Sequence, residues 1–582
     1  MKRFAVMLVC AAMLIGLIAL TAPEKEEGKT PATAYAPQNY SQVYAAIKSA
    51  RPNNVGLFAK TSLAAGDAVI NETSGQDHSN TNVQVEGIDE GDLVKTDGEY
   101  IYAISGNSLL IFKAQDGKAD KLCSLDLSKV CGENFYAYEL YVLGDTVAVT
   151  GATVSDDVAY GRDLSASVYV FDISSRTAPK LSGSASQDGY FVSSRLYDGK
   201  LYLVSAYYIY GDISEDDPVS YIPRISENGK ESLMPCSCIC IMPGEPEAVY
   251  CVAGAYDART AKNLGSVSVL GGGDTVSMSR DNLYVAATRY SEETVKGYAE
   301  DQYYVEELKN EQSTVICRIS LDGLKESGCV TVPGILDGQF AMDEYDGMLR
   351  VVTCNDTQRY KVYTDTKRGF VNYEWGEDRT SENALYIYDG NMKLLSSVEG
   401  LAKGEYVRSV RFDGDYAYFC TFRQVDPLFA VCLSDPKNPT IQSEYKISGF
   451  SEYLHPWSDG LLFGIGNEAE ENGDTVTTTG LKLVMFDVSD KADVSAEHTL
   501  FIEGWYSESL YDHNALLVSP ERGIIGFAVD NEYCLYSYSD ENGFEKTLGV
   551  PLDDAFCGAR GLYIGDWLYV VCGDTVVSSP LN

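Results

Sequence analysis

Four histidines occur in the 582 residues, and two of them stand where a proton could be exchanged or an anion held. His455 lies in EYLHP, and His513 follows Asp512 in YDHNA. Imidazole titrates near neutrality and a carboxylate beside it fixes its tautomer, so such a pair can supply acid and base. Arg195 in VSSRLYDG and Arg408 and Arg411 in YVRSVRF add guanidinium groups suited to a small anion or carboxylate. His455, Asp512, His513, Arg195, Arg408 and Arg411 are therefore the candidate ligand-binding residues. No GxSxG or HExxH sequence fixes a nucleophile, and no residue is assigned a catalytic role. The competing reading, which the sequence favours, is that these side chains bond to one another and lock neighbouring elements.

A second set is acidic. Asp89, Glu90, Asp92 and Asp97 crowd VEGIDEGDLVKTDG together with Glu86, and closely spaced carboxylates can wrap a hard cation such as calcium. These four are the metal candidates, and calcium is the cofactor they raise. Their spacing departs from the D-x-D-x-D-G calcium loop, and in so acidic a chain a solvated turn that helps join its neighbours is favoured. Cys236, Cys238 and Cys240 in CSCIC would share one face of a strand and could hold a soft metal. Metal clusters more often use CxxC knuckles on turns, so core packing is preferred there too. The fifteen cysteines are odd in number, and Cys354, Cys420, Cys432 and Cys572 sit singly in strand-like runs. Most are expected to be unpaired, acting as small buried hydrophobes.

The elements that must position these residues are strands. Residues 406–447 contain YVRSVRF, DYAYFCTF, LFAVCLS and TIQSEYKI, rich in β-branched and aromatic residues and separated by Asp-Gly and Asp-Pro turns. Such a four-stranded meander has two faces and two edges to cover, so it must stack on copies of itself. The hinge recurs, as in RLYDGKLYLVS, DEYDGMLRVVT and PWSDGLLFGIG, nine times in all, without a strong helix between copies. Radial stacking follows, and the expected fold is all-β: a closed β-propeller of four-stranded blades, eight or nine in number. The last copy stops after three strands and the first has a spare strand near TNVQVEG, so the termini are expected to share one blade. Polar inserts at 208–235, 290–313, 356–383 and 467–480 fall between second and third strands and read as long loops crowding one face of the disc. His455, Asp512, His513 and the three arginines all read as lying on first strands, which line the central channel.

Residues 1–22 carry Lys2 and Arg3 ahead of an uncharged apolar run, the order of an export signal or, given its length, an uncleaved membrane anchor. Residues 23–80 read as linker with a short amphipathic helix near 41–50, N-capped by Ser41 and burying Val43, Tyr44 and Ile47. Residues 81–582 form the propeller domain. With 45 basic against 85 acidic residues the net charge is −40, which repels phosphate backbones and anionic lipid, so nucleic acid is not an expected partner.

TNVQVEGIDEGDLVKTDGEYIY, RFDGDYAYFCTFRQVDPLFAVCLSDPKNP, GFSEYLHP with LLFGIGNE, and GLKLVMFDVSD followed by YDHNALL resemble the signature blocks of secreted bacterial and archaeal proteins with a C-terminal β-propeller domain, distant kin of WD-repeat propellers. The resemblance implies export, a propeller and the short helix before it, and contributes no catalytic residue. Two functions remain. The favoured one is a non-enzymatic binding or scaffold module, extracellular or anchored to the outer face of the cytoplasmic membrane and monomeric, with a protein or polysaccharide ligand on the insert-bearing face. The alternative is a hydrolase or lyase with its site at the channel mouth. The sequence offers the second no nucleophile, acid pair or metal cage.

Overall fold

The computed structural model of the protein describes residues 34–50, 77–155, 164–244, 246–273, 275–422, 426–472, 475–554 and 556–581. Residues 1–22, expected to direct export, and most of the linker lie outside them. Among the described residues no helix is long and apolar enough to cross a membrane.

The alternating sequence folds as antiparallel meanders. Tyr406–Asp413, Tyr416–Phe422, Asp426–Cys432 and Thr440–Ile447 pair in chain order, and the pattern recurs along the chain. The first strands of successive groups are Val94–Thr96, Phe135–Val142, Tyr190–Tyr197, Thr275–Met278, Met342–Tyr345, Tyr406–Asp413, Phe450–Ser458, Leu517–Ser519 and Arg560–Ile564. Each group buries both faces against its neighbours. Val352, Leu385 and Ile387 of the fifth meet Val410, Phe419 and Val431 of the sixth, for instance. The first and last groups also share a cluster, in which Ile101, Leu110 and Phe112 pack on Leu562, Ile564 and Tyr569.

Between residues 77 and 92 the chain follows the inner edges of first strands. Ser79 donates its N–H to Tyr563 O at 3.0 Å, and the Asn82 amide donates to His513 O and Leu516 O at 3.0 and 2.8 Å. Gln84 reaches Gln339 O and Met342 O, and Glu86 O accepts from Arg280. Asp89–Glu90 pairs with Leu196 and Arg195, and Leu140 donates to Asp92 O at 2.9 Å. In so few residues the segment touches the ninth, eighth, fifth, fourth, third and second groups in turn. Buried backbone needs partners, and the inner edges of first strands have unpaired groups to offer. The expected spare strand is thus a segment laid across the first strands, at the place where the sequence put the channel, and is named the channel segment for that place. It meets the last group at His78↔Ile564, on the inner edge, and among the described residues no strand pairs beyond Thr575–Pro580.

The inserts are strands and not loops. Asn282–Glu300 with Tyr303–Ser320, and Met348–Asp365 with Val371–Tyr388, are hairpins that join edge to edge from Tyr303↔Asp365 to Lys309↔Arg359. Leu461–Asn472 and Thr475–Asp487 are extended likewise. Glu and Lys on the solvated face hid this alternation in the sequence. In the 208–235 insert, Arg224–Glu227 and Lys230–Leu233 add to the outer strand Lys180–Asp188 of the second group. The helix spans Tyr40–Ser49 and is capped by Asn39 in place of Ser41. Val43, Ala46 and Ile47 dock on Tyr221, Ile222 and Met234 of that insert, and Tyr44 is only partly buried.

Cys236–Cys238 form a 3-10 turn and only Cys240 of that trio lies on a strand, so the three thiols do not share a strand face. Cys317 bonds to Cys329 and Cys557 to Cys572. Cys572 is therefore paired and not a lone core thiol, whereas Cys354 and Cys432 are free.

Candidate functional site

The channel segment brings carboxylates to the axis, and first strands bring arginines to meet them. Arg560, which begins the last first strand, holds Asp92 at 2.9 Å, Asp512 at 2.6 Å and Glu508 at 3.1 Å. Arg195 faces Glu90 at 3.3 Å and donates to Gln339 Oε1 at 2.6 Å. Lys95 pairs with Asp89 at 2.6 Å and donates to Glu90 O. Burial alone would lower the Arg560 pKa, but Asp92, Asp512 and Glu508 more than reverse this and keep it charged. Glu90 and Asp92 are 2% and 6% exposed, so the acidic block is not the solvated turn expected of it. Asp97 stands apart at a hairpin turn, where it accepts from Tyr102 at 2.8 Å and pairs with Arg176 at 3.7 Å. Asp89, Glu90 and Asp92 thus lie together on cations of the protein, and Asp97 is elsewhere. Among the described residues no three His, Cys, Asp or Glu side chains form a metal-holding group.

The histidines gather beside this centre. Tyr453, two residues before His455 on one first strand, shares a hydrogen bond with His455 Nδ1 at 3.1 Å. It also stacks on His513 with ring centres 5.5 Å apart, and Phe340 meets His513 edge-on at 5.3 Å. Burial, with Arg195, Arg411, His455 and Arg560 nearby, holds the His513 pKa well below its usual value. His513 is therefore a neutral, packed ring. His455 and Arg411 lie on first strands as expected. Asp512 and His513 do not: they occupy the 3-10 turns ahead of Leu517–Ser519, because Asp512 caps His513–Ala515 through the Asn514 N–H. Arg195, Arg411, His455, Asp512 and His513 converge. Arg408 does not, since its guanidinium covers Phe422 and Phe450 and lines a separate cavity with Asp356 and Arg379.

Above the ion pairs lies a pocket of about 530 Å³. Its wall uses Tyr138 and Glu139 from the second group, Tyr190, Phe191 and Val192 from the third and Val276 from the fourth; its floor includes Glu90, Asp92, Gln339, Asp512 and Arg560. These wall residues lie at the start or the middle of their first strands, toward the end that meets the close of the second strand, as in Tyr190↔Ala206 and Phe135↔Thr153. The pocket thus opens on the insert-bearing face. A smaller cavity of about 130 Å³ lies along the other side of the channel segment, lined by Asp97 and Gly144.

Among the described residues Glu139 forms no ion pair with an arginine or lysine, and Arg195 and Lys95 act on it only from a distance, pulling its pKa down. Its Oε1 accepts from Ser194 at 2.6 Å and Thr150 at 3.3 Å, and burial pushes its carboxyl up to about 7. Burial also raises Asp512 to about 7, against the pull of Arg560. Glu139, Arg560, Glu508 and Gln339 were not among the sequence candidates. Arg560 had a signal, since it precedes an LY pair in ARGLYIG much as Arg195 does in SSRLYDG. Glu139 had a weaker one, as the lone charge in FYAYELYV.

The family model described as Beta propeller domain matches residues 78–582. An uncharacterized protein of Archaeoglobus fulgidus is 28% identical over 655 aligned residues, covering 98% of this chain and 96% of that one. An uncharacterized protein of Methanocaldococcus jannaschii is 26% identical over 580, covering 88% of this chain and 82% of the other. Among solved structures, the Dos1 propeller aligns over 75% of this chain and 89% of its own with 9% identity and a TM-score of 0.32.

Proposed function

The chain belongs to the Beta propeller domain family, and on that premise we propose that it is an exported, non-enzymatic binding module whose ligand enters the pocket on the insert-bearing face. Export is supported by the basic-then-apolar residues 1–22 and the acidic composition. The proposed architecture is a nine-bladed ring. It is supported by nine first strands in chain order and by the cluster shared between the first and last groups, with the channel segment as an axle that divides the two mouths.

The observation that carries the binding reading is the pocket itself, about 530 Å³ with aromatic and aliphatic walls over a charged floor. Apolar walls with a few convergent polar groups are the usual form of a small-ligand site. Secretion to the outer face of the cell or anchoring there would present this mouth, and the arms beside it, to an extracellular polysaccharide or protein. A second reading, hydrolase or lyase, draws support from Glu139 and Asp512, two carboxyls near neutrality in one pocket. Binding is preferred because Asp512 is tied to Arg560 and to the Asn514 N–H and has little freedom to exchange a proton with a substrate.

The test is a binding screen against glycans, peptides and small metabolites, run on the wild type, a Tyr138→Ala/Phe191→Ala variant and a Trp505→Ala control. Trp505 is 89% exposed and outside the pocket lining. Binders lost only in the double variant support the reading, and binders indifferent to it overturn it. Mass analysis of each bound compound for turnover distinguishes the enzymatic alternative.

A further inference from the structure

The residues lining the mouth pocket are not balanced in charge. Five carboxylates, Glu90, Asp92, Glu139, Glu508 and Asp512, face two guanidiniums, Arg195 and Arg560. Arg560 is shared by three of the acids and Arg195 is spent on Glu90. Nearby Lys95 does not redress this, being matched by Asp89. Among the described residues Glu139 is held by hydroxyl donors alone.

Two further features point to an occupant. Asn514 Oδ1 is a buried acceptor on a lining residue and has no hydrogen-bond partner among the described residues, and the Gln339 amide nitrogen is a buried donor in the same state. Gln339 is 4% exposed. Buried polar groups are almost always paired, so such a concentration in one pocket asks for a ligand or ordered water. The rim is aromatic as well. Tyr138 and Phe191 meet edge-on at 5.6 Å, Tyr190 meets Tyr208 at 5.8 Å, and Tyr138 and Tyr190 keep 45% and 41% of their surface exposed. Aromatic faces attract cations.

We infer that the mouth pocket takes a small molecule bearing a primary ammonium group, which donates to Glu139 while its carbon body lies against Tyr138 and Phe191. A primary ammonium has three N–H donors, so it can serve Glu139 together with Asn514 Oδ1, which a quaternary ammonium cannot. An anion would meet the surplus of carboxylates, and a neutral alcohol would bring no charge to replace the proton that Glu139 shares near neutrality. This deepens the binding reading and rests on it. A corollary is that binding near neutral pH expels a proton, because Glu139 is half-protonated near pH 7 when no cation is beside it.

The experiment is calorimetric titration of the intact chain at pH 7 with matched probes: 1,5-diaminopentane, glucosamine and phenethylamine, against 1-pentanol, glucose and 2-phenylethanol. At least one amine should bind about tenfold or more tightly than its alcohol partner, the worth of one charge-assisted hydrogen bond. Its binding enthalpy should vary with the ionisation enthalpy of the buffer, and Glu139→Gln should abolish both the preference and the proton release. Glu139→Gln keeps the acceptor for Ser194, so its fold is checked by its melting temperature. Equal binding of amine and alcohol, or a preference that survives Glu139→Gln, overturns the ammonium assignment and leaves the pocket as the site. Binding by none of the six overturns the assignment, and the Tyr138→Ala/Phe191→Ala screen then decides the wider reading separately.

Discussion

Replacing Glu139 by Gln should make the protein more stable above neutral pH and leave it unchanged in acid. The folded carboxyl stands at about 7 because it is buried without a contacting cation, whereas in the unfolded chain it titrates near 4.3. The fold therefore binds the proton more tightly than the unfolded chain does. Stability from this group is fully present below the unfolded value, declines as pH rises between the two values, and stays low above about 7. The difference is worth about 3 kcal/mol at 1.36 kcal/mol per pH unit, as an upper figure for a group that lines a pocket. Gln stands in for the protonated acid and can still accept from Ser194. With an unfolding entropy of ~2 cal/mol/K per residue over roughly 500 residues, this becomes a gain of about 3 °C in melting temperature at pH 8. At pH 4 the gain should vanish. Calorimetric melts of both proteins at pH 4, 6 and 8 test this. A variant no more stable than wild type at pH 8, or an advantage of equal size at pH 4, would refute the electrostatic account of Glu139.

Arg560→Met should lower the melting temperature at pH 7, because it strands Asp92, Asp512 and Glu508, and breaking a buried pair costs about 3–5 kcal/mol; Arg560→Lys should recover only part, lacking the planar fork. His513 acts with the opposite sign to Glu139. Its depressed pKa means that the unfolded chain takes up a proton first as pH falls below about 6.5, so His513→Phe should lessen the loss of stability between pH 7 and 5, measured by denaturant midpoints. Deleting 559–582 should abolish cooperative melting, since it removes the strands that Ile101, Leu110, Tyr533 and Leu535 pack against. Thiol titration in denaturant without reductant should count the ten cysteines of the described residues outside the two disulfides, plus Cys10 where the leading segment is retained.

The repeat was legible because a half-buried strand writes its burial as alternation. The hinge in RLYDGKLYLVS is found again as Tyr190–Tyr197 and Lys200–Tyr208. The channel segment was not legible in the same way. Its partners, Tyr563, His513, Gln339 and Arg195, lie roughly 100 to 480 residues away, and none leaves a local signature. Charge alone misled at Glu90 and Asp92, whose neutralising arginines come from first strands of distant repeats. The convergence of His455, His513 and Arg411 followed from placing them near the axis, whereas Arg408 falls at a bulge between Val407 and Ser409 and turns to Phe422 and Phe450. The signal at Glu139, a lone charge in FYAYELYV, was weak because an outward glutamate on a solvated strand reads the same.

The claim that function resides at the insert-bearing mouth is tested most directly by hydrogen exchange of the intact chain, with and without the tightest compound from the amine and alcohol panel. Added protection confined to residues 89–92, 137–139 and 190–195 is the predicted result. Protection centred instead on the arm strands Tyr303–Ser320 and Met348–Asp365, with no change at the mouth, would contradict it.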